Sequence, residues 1–111
     1  MNIEIIREYI LQMPAVTEGF PFGEDTLVFK VKEKIFFLAG LDSAPLQFNV
    51  KCDPDKAIQL REEYPESVLP GYHMNKKHWN TVIVDGRLSA KQLKQMIDDS
   101  YALVAPKNRV K

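Results

Sequence analysis

Both histidines, the only tryptophan, a lysine pair and two asparagines fall within Pro70-Gly71-Tyr72-His73-Met74-Asn75-Lys76-Lys77-His78-Trp79-Asn80. If buried, each polar group there would need a hydrogen-bond partner. If exposed, Tyr72, Met74 and Trp79 would be an unusual apolar load for a loop. Two readings stay open from the residues alone: part of a binding site, or a polar-aromatic corner that locks the fold. The binding chemistry that suits the set is nucleic-acid recognition. Lys76 and Lys77 can meet phosphate, and Asn75 and His78 can hydrogen-bond to backbone or base edges. Trp79 or Tyr72 can stack or wedge. Arg87 in the following turn, with Lys91 and Lys94 on the last helix, would extend the patch. The alternative is that Trp79 packs at a sheet edge and the lysines are simply solvated.

Other chemistries find less support. His73 and His78 are five residues apart, not the four that put two imidazoles on one helix face, and no cysteine pair completes a metal set. Cys52 lies in an apolar alternation and reads as a small core residue, not an activated nucleophile. The five glycines are scattered singly, so neither a P-loop nor a dinucleotide fingerprint is present. The pairs Glu24-Asp25, Glu62-Glu63 and Asp98-Asp99 are adjacent in sequence and mostly diverge. No catalytic residue, cofactor or metal is expected, and the chain is not read as an enzyme.

The elements that must position the motif follow from periodicity. Asn2 caps a helix running to about Met13, with Ile3, Ile6 and Ile10 on one face, and Pro14 stops it. Thr17–Asp25, punctuated by Gly and Pro, is expected as a loop whose Phe20 and Phe22 fold back onto the core. Three strands follow: Thr26–Lys32 with Leu27, Phe29 and Val31 inward, the apolar run Ile35–Ala39, and Leu46–Cys52. Asp53-Pro54 opens a second helix carrying Ala57, Leu60 and Tyr64. A strand over Thr81–Val84 ends at the Asp85-Gly86 turn. Ser89 and Gln92 form a capping-box pattern for a last helix, with Leu93, Met96, Ile97, Ser100, Tyr101 and Val104 along one stripe. This order predicts an α+β fold, an antiparallel sheet with helices packed on one face.

The 111 residues form one domain by size, with 45% hydrophobic and 27% charged residues. No apolar run approaches the ~20 residues that cross a bilayer, and no leader pattern is read at the N-terminus; a cytoplasmic monomer is expected. The zero net charge conceals a split: residues 1–69 hold 7 Lys+Arg against 12 Asp+Glu, and residues 70–111 hold 8 against 3. The motif opens the basic portion, which ends in the tail 106–111.

Phe22-Gly23, Val28-Phe29-Lys30-Val31, Lys51-Cys52-Asp53-Pro54 and above all Pro70–Val82 make this chain resemble the MmcQ/YjbR family of small bacterial proteins. The resemblance spans about Met1 to Val104, departing at Glu33, where the family often has glycine. It implies a CyaY-like architecture, related to two-layer secretion-chaperone-like domains. It also implies the double-wing DNA-binding role proposed for the family on structural grounds. Carried over, it points to Tyr72, His73, Asn75, Lys76, Lys77, His78, Trp79 and Asn80. A protein-interaction adaptor is the second expectation, from the chaperone likeness and the acidic, Phe-rich Glu18–Asp25 loop. Frataxin-like iron handling ranks third, since the first helix offers only Glu4 and Glu8.

Overall fold

In the computed structural model, which describes residues 1–71 and 74–105, every helix begins where the sequence supplies a cap. The Asn2 side chain accepts from Ile5 N at 2.9 Å and opens α1 (Ile3–Leu11). Asp53 accepts from Asp55 N and Lys56 N and opens α2 (Pro54–Glu63), with Pro54 where a missing N–H is harmless. Ser89 and Gln92 exchange side-chain-to-backbone bonds of 3.1 and 2.8 Å in a capping box that opens α3 (Ala90–Val104). The expected tail 106–111 lies outside the described residues, as do Tyr72 and His73.

Six strands form one antiparallel sheet: β1 (Val16–Gly19), β2 (Thr26–Val31), β3 (Lys34–Gly40), β4 (Leu46–Lys51), β5 (Val68–Pro70) and β6 (Trp79–Val84), ordered β1-β2-β3-β4-β6-β5. The four inner strands are the ones periodicity marks, although β6 starts two residues earlier than expected. The two edge strands are additions. β1 occupies part of the segment expected as a loop, and β5 the return after α2. Neither has apolar alternation over more than a residue or two, so main-chain pairing defines them, and Pro70 is tolerated at the edge.

Cross-strand register sorts the side chains into two faces. Leu27 opposite Ala39, Phe29 opposite Phe37, Phe48 opposite Val82 and Val68 opposite Val82 point to the helices. There they meet Ile6 and Ile10 of α1 and Leu93, Met96, Ile97 and Val104 of α3. Each such side chain contributes roughly 1.5–3 kcal/mol on full burial. Phe37 stacks on Phe48 at 5.0 Å and meets Phe29 edge-on at 5.5 Å. A register shift after Phe29 opens the ladder beside Phe36. The fully buried Ser100 fills the break, accepting from Lys51 N at 2.8 Å and donating to Phe36 O at 2.6 Å. The other face carries Thr26, Val28, Leu38, Gly40, Gln47, Asn49, Lys51, Trp79, Thr81 and Ile83, and among the described residues no helix packs on it.

Two expectations are corrected. α1 stops at Leu11, not Met13. Phe20 and Phe22 do not return to the core; they are 49% and 64% exposed, because their loop closes on itself through Gly23 N to Phe20 O and Thr26 N to Gly23 O.

The β2–β3 hairpin turns on two residues, Lys32 (φ 49°) and Glu33 (φ 72°), both in the left-handed region that glycine occupies without penalty. Glu33→Gly should therefore raise the urea-unfolding free energy by about 0.5–1 kcal/mol, the relief of strain exceeding the added unfolded-chain entropy. α1 is tied to α3 by Tyr9 OH donating to Asp98 Oδ1 at 2.7 Å, with Lys94 Nζ 5.0 Å from the ring centre. The carboxylate acceptor holds the phenolic proton, pushing the Tyr9 pKa up to about 12. Since the folded value lies above the unfolded one, this contribution is complete below about pH 10 and fades as pH climbs to about 12. An ultraviolet titration of the native protein should resolve one tyrosine near that upper value, and Asp98→Asn should return it to the ordinary range.

Candidate nucleic-acid interface

The motif forms the connection from edge strand β5 into β6, so its geometry depends on how that turn is held. Gly71 N donates to Trp79 O at 2.9 Å, and Trp79 N donates back to Asn75 O at 3.0 Å. Asn75 Oδ1 accepts from Lys77 N at 2.9 Å, a side-chain turn that fixes the lysine pair. Gly71 is buried, and a Cβ there would stand 2.7 Å from Trp79 Cβ and 3.0 Å from Trp79 O, so only glycine permits the approach. Cys52 N donates to His78 O at 2.8 Å, joining the loop to the end of β4.

The main tie comes from outside the motif. Arg61, near the end of α2, donates from Nε to Asn80 Oδ1 at 2.7 Å, and from Nη2 to Trp79 O at 3.2 Å and to Lys76 O. One guanidinium thus gathers two carbonyls and one amide into a planar fork. Asn80 is 1% exposed on the helix-side face, opposite Val50. Its Oδ1 orientation is set by Arg61, while Nδ2 has no partner among the described residues.

The expected site residues therefore separate. Asn75, Lys76, Lys77 and His78 are exposed together on the loop. Of the residues expected to contact DNA, Trp79 and Asn80 are instead buried. Trp79 is 7% exposed, packed beside Gly71 with Lys51 Nζ 5.7 Å from its ring centre, so stacking on a base would require it to leave its seat. Arg87 lies apart from that loop. It sits beyond the far end of β6, about 17 Å of strand from the loop, and pairs with Glu66 at 3.2 Å and Asp85 at 3.6 Å. Lys94, expected to extend the patch, lies over the Tyr9 ring. Tyr72 and His73 are outside the described residues. Cys52 is buried, and desolvation pushes its thiol pKa up, which suits a core residue. Among the described residues no three His, Cys, Asp or Glu side chains group around a metal position, and no helix is long and apolar enough to cross a membrane.

Periodicity missed three features. Arg61 carries no local signal, because its partners lie 15 to 19 residues away. Gln47 and Asn49 alternate with apolar residues in the strand, but nothing in the sequence says that their face lacks a covering helix. There they line an open recess of about 530 Å³ between the Phe22 loop and Met74. On its floor Thr81 Oγ1 donates to Asn49 Oδ1 at 2.5 Å.

Residues 11–103 match the model of the YjbR family, and the chain belongs to that family. Among individual relatives, it is 41% identical over 102 residues to the uncharacterized protein YbdF of Escherichia coli O157:H7, covering 91% of this chain and 82% of YbdF. The uncharacterized protein YjbR of Escherichia coli strain K12 is 28% identical over 101 residues, covering 91% and 85%. The crystal structure of Deinococcus radiodurans protein DR2400 superposes with a TM-score of 0.91 at 38% identity, covering 99% of this chain and 83% of that one. A Pseudomonas syringae protein superposes with a TM-score of 0.76 at 27% identity, covering 94% and 99%.

Removing the guanidinium leaves the buried Asn80 Oδ1 without its donor, while Trp79 O keeps its bond from Gly71 N. Arg61→Met should cost about 2–3 kcal/mol in chemical denaturation, whereas Arg61→Met/Asn80→Leu should recover part of that loss, because both ends of the Arg61–Asn80 bond are then apolar.

Proposed function

We propose that this protein is a non-enzymatic DNA-associated domain that meets phosphate through Lys76 and Lys77. The observation carrying this reading is the direction of the loop's groups. Its carbonyls turn inward to Arg61 and Cys52, while Asn75, Lys76, Lys77 and His78 are left exposed. A loop whose backbone is already bonded presents its cations at little further ordering cost. Neither lysine takes part in a described ion pair, in contrast to Arg87. His78 and Asn75 add hydrogen-bonding groups beside them. The reading gives Trp79, Asn80, Gly71 and Arg61 the task of holding the loop, and gives Arg87 no part in the contact.

A second reading, a protein-interaction adaptor, draws on the exposure of Phe20 and Phe22 on the Glu18–Asp25 loop. It predicts a partner lost in Phe20→Ser and indifferent to the lysines.

Titrating the protein into duplex DNA at two salt concentrations separates these. Affinity should fall as salt rises, and Lys76→Ala/Lys77→Ala should weaken binding and flatten the log–log salt slope by about 2. No binding at low salt, or an unchanged slope in the double variant, would remove the DNA reading.

A further inference from the structure

The recess on the sheet face opposite the helices is lined by Gln47, Asn49 and Thr81, none of which belongs to the lysine loop. We infer that it receives an unpaired nucleobase of a single-stranded DNA whose phosphates run past Lys76 and Lys77. This rests on the DNA reading above and narrows it from duplex to unpaired strand.

Three observations carry it. Among the described residues the lining contains no charged side chain, so the recess suits a neutral group and leaves the phosphates to the loop. Its floor is polar in a specific way. Gln47 and Asn49 are successive same-face residues of β4, about 7 Å apart, and each offers the donor–acceptor pair of a primary amide. Thr81 donates to Asn49 Oδ1, which turns the Asn49 amide nitrogen away from Thr81. Bases are read by such amide pairs along their hydrogen-bonding edges. The walls are apolar: Leu38 beneath, Met74 on one rim and Phe22 on the other, with Phe22 64% exposed on a loop closed by its own hydrogen bonds. A flat ring laid against Phe22 would cover that surface.

Geometry also ties the recess to the cations. Met74 belongs to the same loop as Lys76 and Lys77, so a base beside Met74 has its phosphates within the reach of those side chains. A peptide is a poorer occupant, because strand addition needs a sheet edge and this recess lies over the inner strands β2, β3, β4 and β6. The volume of about 530 Å³ is within the range of small-ligand sites.

The test uses the full chain in two arms. In the first, uncharged nucleosides are added while the side-chain amide signals of Gln47 and Asn49 are followed by NMR. Saturable shifts are expected, and their loss in Phe22→Ser. In the second, affinities are compared for a mixed-sequence single strand and an abasic strand with the same number of phosphates. The base-bearing strand should bind about tenfold tighter. Gln47→Leu, at a half-buried position, and Phe22→Ser, at an exposed one, should each erase the difference while leaving abasic binding unchanged. Absent nucleoside shifts together with equal affinity for the two strands would overturn the inference. The lysine reading fails separately: Lys76→Ala/Lys77→Ala would then leave both strands unaffected even while the nucleoside shifts persist.

Discussion

Arg61 reaches from α2 to the start of β6 and there binds Asn80 Oδ1, Trp79 O and Lys76 O with one guanidinium. Without those bonds the buried Asn80 Oδ1 would be unpaired and the loop would lose its tie to α2, beside an edge strand of three residues. Such a strand is too short to hold the turn by ladder bonds alone. Gly71 completes the arrangement by letting the chain pass within van der Waals reach of Trp79, where any side chain would collide. The motif is thus divided by strand parity: Asn80 faces the helices and Arg61, Trp79 faces the open side and Lys51, and the preceding loop residues are pushed outward.

That division extends across the molecule. On one side of the sheet, three helices and a phenylalanine cluster supply the apolar burial that stabilises the fold. On the other, Gln47 and Asn49 are half-buried beside the buried Val28, Leu38 and Thr81. The basic loop and the neutral recess share Met74.

Much of this was legible in the sequence. The caps at Asn2, Asp53 and Ser89, the inner strands and the stripe on the last helix are local signals, each spanning a few residues, and the structure has them where periodicity puts them. The edge strands were not legible, because Val16–Gly19 and Val68–Pro70 are strands only by virtue of their neighbours. The composition of residues 70–80 correctly marked an unusual segment but could not divide it. Whether Trp79 is a ligand contact or a brace depends on the strand beginning at residue 79, and on an arginine 18 residues earlier. The phenylalanines of the Glu18–Asp25 loop misled for a related reason. Apolar residues are usually drawn to a core, but a loop closed by its own hydrogen bonds has no need to bring them there.

The central claim is that Arg61 holds the lysine-bearing loop in one place. Backbone 15N relaxation of residues 74–78, in the wild type and in Arg61→Met, measures this directly. Order parameters near those of the sheet, about 0.85, are expected in the wild type, falling below about 0.6 in the variant while the sheet stays rigid. A loop that is already mobile in the wild type, or one equally ordered without Arg61, would contradict the account.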